Sequence, residues 1–193
     1  MVLDKQVTGE GVIDFVDVTN KQGAKELVRH LLKLGHKKIG IIAGPQNAST
    51  GKERLEGALE AIKEAGLTQD HVDIFEGDFL KNSGVEATKY FISHPSPPSV
   101  IFACNYSMGI GAFETLHELG LKIPQDIGFV LFDDLPWFAH FSPPLTTVFQ
   151  PAFDIGKVGA ELLVERFRTK RKTPKRITLP TSLRIRCSAG ECM

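Results

Sequence analysis

The feature that most constrains this chain is a rhythm of short apolar runs alternating with amphipathic stretches. "VIDFVDV" (12–18), "KIGIIAG" (38–44), "VDIFEGDF" (72–79), "SVIFAC" (99–104) and "IGFVLFDD" (127–134) read as strands. Between them, apolar residues recur at helical spacing: Ala24, Leu27, Val28, Leu31 and Leu32, then Leu55, Ala58, Leu59 and Ile62. Further helices run through Val85, Tyr90 and Phe91, and through Met108, Ala112, Leu116 and Leu119. Gly35, Gly66 and Gly120 stop three of them. Asn20 is placed to cap the first helix, and Thr50 with Glu53 to form a capping box on the second. Parallel strands need crossover helices, and those helices cover both faces. The expectation is an α/β fold with a doubly wound parallel sheet of five strands. After residue 134 the rhythm breaks into "LPWFAHFSPPLTTVFQP", too irregular for a helix, followed by a helix over about 153–168 and a strand-like tail, "KRITLPTSLRIRCS".

At 193 residues the chain can bury a substantial core. Its 23 basic and 23 acidic residues balance, so no global field recruits nucleic acid or an acidic membrane. Cys104, Cys187 and Cys192 are odd in number, show no metal or redox spacing, and suit a reducing cytosol. No apolar run approaches a membrane span, and Asp4, Lys5 and Gln6 leave no signal-peptide core. The expected location is cytoplasmic.

"IIAGPQNASTGKERLEG" (41–57) has the outline of a phosphate-binding loop. Its spacing excludes that chemistry: six residues, not four, separate Gly44 from Gly51, and Glu53 follows Lys52 where a magnesium-binding hydroxyl belongs. The strand–loop–helix outline still places a ligand at the carboxyl end of the strand. There the loops carry Thr50 and Arg54, Asp78 and Phe79, Asn105 and Tyr106, and Asp133 and Asp134. An aromatic face, an arginine, an amide and a carboxylate suit a neutral polyhydroxyl ligand. Each has a plainer reading: Thr50 as a cap, Phe79 as core, Arg54 as solvated helix surface, one of the aspartates as a turn residue. Catalytic signatures are missing, with no Gly-x-Ser-x-Gly elbow and no metal-spaced histidine or cysteine pair. No catalytic residue, metal or cofactor is expected. The basic run "RFRTKRKTPKR" (166–176) lacks interleaved aromatics and reads as a helix terminus and loop, not a nucleic-acid patch.

The order "GHKKIGIIAGP…RLEG…GDF…VIFACN…GLKIPQDIGFVLFDD…SPPLTTVFQP" resembles the LacI/GalR family of bacterial transcriptional regulators over nearly the whole chain. "GFVLFDD" followed by "SPPLTTVFQP" is the most specific part. The resemblance implies a periplasmic-binding-protein-like fold of two Rossmann-like subdomains joined by three crossings, with a small effector between them. By position, Asp4, Thr50, Arg54, Phe79, Asn105, Asp133 and Gln150 match the family's effector contacts. It implies a sugar or sugar phosphate as effector, and a homodimer with Trp137, Phe138 and Phe141 by the subunit interface. Operator DNA would be bound only through a helix-turn-helix headpiece, which this stretch does not contain. Residues 18–147 would form the C-terminal subdomain, and 1–17 with 148–193 a remnant of the other, its strands lacking sheet neighbours within the chain. Departures are Tyr106 for the usual acidic residue, Leu131 for glycine and Thr19 for aspartate. A solute-receptor module of periplasmic type is the alternative.

Overall fold

The computed structural model describes residues 1–4 and 13–192. Its elements are β1 (Val2–Leu3), β2 (Phe15–Val18), α1 (Asn20–Lys33), β3 (Ile39–Ala43), α2 (Ser49–Glu64), β4 (Val72–Glu76) and α3 (Lys81–Ser93). They continue with β5 (Val100–Ala103), α4 (Tyr106–Glu118), β6 (Gly128–Phe132), β7 (Thr146–Phe149), α5 (Ala152–Thr169), β8 (Arg176–Leu179) and β9 (Ser182–Arg184). The first expected strand, 12–18, forms over Phe15–Val18, while residues 13 and 14 are described without strand pairing and residue 12 lies outside the described residues.

The described strands form a six-stranded sheet, β4-β3-β5-β6-β7-β9, and a three-stranded one, β1-β2-β8. Four of the five expected strands, β3 to β6, lie in the larger sheet, and the first, at 12–18, is instead β2 of the smaller one. The fifth parallel strand of the larger sheet is β7, from the stretch expected to be irregular, with β9 as an antiparallel edge against it. β3, β5 and β6 are buried along their whole length, as continuous apolar runs in a doubly covered sheet require. Phe91, Phe102, Phe129, Phe132, Ile41 and Leu31 fill the core between sheet and helices. Helix α1 packs on α2, and α3 on α4. Tyr90 and Leu119, expected on buried stripes, are half-exposed. Beside Phe91, which is buried as expected, α3 buries Ser83, Gly84, Ala87 and Thr88, small enough for close approach to α4.

The expectation that residues 148–193 find no sheet partner within the chain is corrected. β8 pairs with β2 in register from Phe15–Arg176 to Val18–Leu179, and β9 pairs with β7. Beyond β9 the tail is pinned to the large sheet. Ser188 Oγ donates to the Phe129 carbonyl at 2.5 Å and accepts from Thr146 N at 2.8 Å. Glu191 accepts from Thr146 Oγ1 at 2.5 Å and from Ala189 N at 2.8 Å. Cys187 and Cys192, expected as free thiols, form a disulfide, because the turn through Gly190 (φ +95°) brings their Cα atoms to 5.2 Å. Cys104 is the free cysteine among the described residues, and burial pushes its thiol up to about 12.

The smaller sheet is covered on one side by α5, through Val16, Val18, Ile155 and Leu162. Asp14 is buried at its edge and takes up much of the basic run. Arg166 reaches its two oxygens at 2.7 and 2.8 Å, Arg171 at 2.9 and 3.0 Å, and Lys175 N donates at 2.7 Å. Those donors hold the Asp14 carboxyl far below the usual carboxylate range. Among the described residues no helix is long and apolar enough to cross a membrane.

Candidate functional site

The carboxyl ends of β3 to β7 all open toward the same edge of the large sheet. Arg54 sits one turn into α2, and Thr50 lies one turn before it on the same buried face. Helix α2 starts at Ser49 after Ala48 with no side-chain cap, so the expected Thr50–Glu53 box does not form, and Thr50 is free of that role. Arg54 is 3% exposed. Its Nε donates to Asn20 Oδ1 at 2.8 Å and its Nη1 to the Cys104 carbonyl at 2.7 Å. The guanidinium lies 3.9 Å from the centroid of the Phe132 ring. Burying a cation costs several kcal/mol unless it is bonded, so this arrangement fixes Arg54 in one orientation. The solvated-surface reading is excluded.

Asp133 follows β6 with its Oδ1 at 3.9 Å from Arg54 Nη1. Its Oδ2 accepts from Tyr106 N at 3.1 Å, and its Oδ1 from Gln150 Nε2. Asn105 caps α4, accepting from Met108 N at 3.0 Å, while its Nδ2 donates to the Phe79 carbonyl at 3.0 Å. The Phe79 ring lies over Gly44, where a Cβ would come within 2.1 Å of it. Asp4 follows β1 of the small sheet, and its electrostatic neighbours include Arg54 and Asp133. Burial is the main cause that raises its carboxyl above the usual range, with Arg54 opposing the shift. All seven candidate residues therefore sit at one edge, six from the large sheet and Asp4 from the small one.

Two further observations point to a ligand. Asp4 (φ 59°), Phe79 (φ 69°) and Asp133 (φ 82°) are three of the four non-glycine residues with left-handed φ among those described. Such backbone costs about 1–3 kcal/mol each and collects at binding sites. Also, Asp4 Oδ1 and Gln150 Oε1 are buried with no hydrogen-bond partner among the described residues.

Other candidates resolve to structural roles. Asp78 accepts from Leu80 N and Ser83 Oγ and so opens α3. Asp134 binds Arg186 at 2.8 and 3.0 Å and anchors the tail. Phe138, expected at a subunit interface, is fully buried in the chain's own core, because the short 3-10 turn Pro136–His140 points it inward. Phe141 packs tilted against Phe113 at 4.9 Å and edge-on against Phe138 at 5.4 Å, and Trp137 is 54% exposed. Sequence reasoning missed Asn20 as the partner of Arg54. Its place just after β2, at a strand's carboxyl end, was the available signal. Among the described residues no cluster of His, Cys, Asp or Glu could hold a metal. A cavity of about 540 Å³ at the opposite, amino end of the sheet, lined in part by His117, Lys122, Ser142 and the disulfide, contains none of these residues.

The family described as a periplasmic binding protein-like domain matches residues 28–189. The HTH-type transcriptional regulator CelR of Thermobifida fusca is 35% identical over 177 residues, 92% of this chain and 52% of that protein. The HTH-type transcriptional repressor PurR of Photobacterium profundum is 35% identical over 178 residues, 92% of this chain and 53% of that one. A solved complex of CelR with cellobiose superposes with a TM-score of 0.84 at 34% identity, covering 94% of this chain and 55% of that one. A LacI family regulator from Enterococcus faecium with bound ribose gives 0.87 at 29% identity, covering 96% and 68%. The chain spans about half the length of the curated relatives it matches.

Proposed function

Because the chain belongs to the periplasmic binding protein-like domain family, as an effector-binding core of LacI/GalR type, we propose that it is the small-molecule-sensing part of a transcriptional regulator. Its effector is a sugar or sugar phosphate held at the edge where the two sheets meet. Arg54 and Asp133 clamp hydroxyls, Phe79 supplies a face for the sugar's C–H surface, and Thr50, Asn105, Asp4 and Gln150 complete the shell. Residues 18–147, together with β9 and the tail pinned to the large sheet, act as one subdomain and the rest of the flanking stretches as part of a second. Effector binding changes how the two are oriented, and operator DNA is bound by a headpiece carried elsewhere in a longer protein, a coupling between two sites. The core pairs as a homodimer through the surface around Trp137. The reaction class is binding without turnover, in the cytoplasm.

The observation that carries this reading is the buried, fully oriented Arg54 facing Asp133 at the carboxyl edge of a doubly wound sheet. A buried cation with no full counter-ion contact is costly as structure alone and useful as a ligand clamp. Calorimetry with a sugar panel led by cellobiose and ribose tests it. Losing one charged hydrogen bond costs about 1.5–3 kcal/mol, so Arg54→Ala and Asp133→Ala should each weaken the bound sugar tenfold or more. Wild-type affinity in both variants would overturn the assignment.

A further inference from the structure

We propose that the cavity at the amino end of the large sheet takes up a small acidic thiol, which exchanges with the Cys187–Cys192 disulfide and is left bonded to Cys192 Sγ. This site lies apart from the sugar-sensing edge and depends on no part of that role.

The cavity holds about 540 Å³ and is lined by both cysteines together with His117, Lys122, Gln125 and Ser142. Small-molecule sites run from about 300 to 1,000 Å³, so a tripeptide-sized thiol fits. Cys192 is exposed and Cys187 half-buried. An exposed disulfide is open to thiolate attack in a way that a core disulfide is not. The two sulfurs are not equivalent. Cys187 is held by its backbone N, which donates to the Pro144 carbonyl at 3.1 Å. Its neighbours Arg186 and Ser188 are both bonded to Thr146, at 2.8 Å each. Cys192 is the more accessible, and is therefore the sulfur that an incoming thiolate reaches. In the exchange the thiolate sulfur bonds to Cys192 Sγ and the Cys187–Cys192 bond breaks. The electron pair leaves on Cys187 Sγ, which takes a proton from water. A second thiolate then attacks the carried sulfur and releases the symmetrical disulfide, leaving a Cys192 thiol. Two thiols are oxidised for the one disulfide reduced.

Charge selects an acidic thiol. Besides the cysteines, the titratable side chains of the lining are His117 and Lys122, and among the described residues no carboxylate lines it. Lys122 bonds through its backbone, N to Asp126 Oδ2 at 2.8 Å, and its ammonium has no partner among the described residues. The last carbonyls of α4, which would repel an anion, are already taken. Thr115, Leu116 and His117 accept from Leu119 N, Leu121 N and Gly120 N, each at 3.0 Å. A carboxylate on the thiol therefore meets a free cation in the cavity that holds the bond to be broken.

The test treats the whole chain, oxidised at Cys187–Cys192, with reduced glutathione or its diethyl ester at low salt. Free thiols are trapped by alkylation and adducts are read by peptide mass. Each rate is divided by the same thiol's rate on hydroxyethyl disulfide, which removes differences in intrinsic reactivity. The expected adduct is one glutathione on Cys192 with Cys187 alkylated, formed after that correction about tenfold faster than with the ester. Lys122→Ala should abolish the preference, and Lys122→Arg should keep it. Failure of the two cysteines to close in oxidised glutathione, no adduct, or an adduct on Cys187 overturns the proposal. So do equal corrected rates for acid and ester, or a preference that survives Lys122→Ala. Sugar binding enters none of these readings, so the sensing role stands whichever result appears.

Discussion

Gly57 lies in the middle of α2, where helix propensity alone favours alanine by about 1 kcal/mol. The structure reverses that sign. A Cβ at Gly57 would stand 2.0 Å from the Lys21 carbonyl oxygen, 2.9 Å from its carbon and 3.1 Å from its Cα, all backbone of the first turn of α1. Carbon contacts settle near 3.5 Å or beyond, so that turn must retreat by about 1.5 Å. Lys21 is next to Asn20, whose 2.8 Å bond to Arg54 would be drawn out of hydrogen-bonding range. Overpacking costs about 1–3 kcal/mol and the lost charged hydrogen bond about 1.5–3, against the gain of about 1 in propensity. Gly57→Ala is therefore expected to destabilise the chain by about 1.5–5 kcal/mol, which for a domain of this size lowers Tm by roughly 3–20 °C. Gly156→Ala in α5 is the control, since its Cβ meets nothing within 4 Å. That variant should stabilise by about 0.5–1 kcal/mol. Thermal denaturation of both, with calorimetry of sugar binding to Gly57→Ala, reads the two effects. Equal stabilisation by both substitutions would refute the close-packing argument, and unaltered sugar affinity in Gly57→Ala would refute the link through Asn20.

Asp14→Ala leaves Arg166 and Arg171 without their shared carboxylate and should cost about 3 kcal/mol at neutral pH. Because the folded-state pKa of Asp14 is depressed, this stability is present above the ordinary aspartate value of 3.8 and is lost as pH falls below it. The Tm difference between wild type and variant should shrink from pH 5 to pH 2.5, and a constant difference contradicts the ion-pair account. Closing five residues with a disulfide removes loop entropy worth about 2 kcal/mol, so Cys192→Ser should unfold several degrees lower. Finding three titratable thiols in the native wild type would end that expectation. Trp137→Ser should shift a sedimenting dimer toward monomer, whereas a wild type that sediments as a monomer at high concentration removes the interface.

The alternation of β3–β6 with α1–α4 is legible in the sequence because each local preference agrees with the global one. A doubly covered strand needs an unbroken apolar run, as in Ile39–Ala43, and a covering helix needs a stripe at 3.6-residue spacing, as in Ala24–Leu31. The loops at the carboxyl edge are legible for the same topological reason. Asn20 is not, since an amide after a strand can cap a helix or accept from a guanidinium 34 residues away, and only the packing of α1 on α2 decides. Nor is the division of labour between Asp133 and Asp134: just past the end of β6, Asp133 takes a left-handed φ of 82° and lies toward Arg54, while Asp134 binds Arg186. Trp137 and Phe138 pose the same difficulty in a turn too short to show a period. The disulfide depends on a turn through Gly190 that spacing alone does not announce.

The chain passes between its two sheets at three places: from β2 through Thr19 into α1, from β7 through Gln150 and Pro151 into α5, and from β8 through Pro180 and Thr181 into β9. The first and third passages are tied to each other, since Thr181 N donates to Thr19 Oγ1 at 2.9 Å and the two hydroxyls lie 3.0 Å apart. Mechanically they count as one mount. A body held at a single mount can swivel in any direction, and one held at three that are not in line cannot turn at all. Two mounts leave one axle, so the small sheet can tilt against the large one like a door, not wobble like a ball in a socket. Gln150 is part of the second mount, and its side-chain oxygen is buried without a hydrogen-bond partner among the described residues. In the sensing role proposed above, a molecule gripping Gln150 would push on the pivot itself, where a small twist would become a wide sweep at the far end of α5.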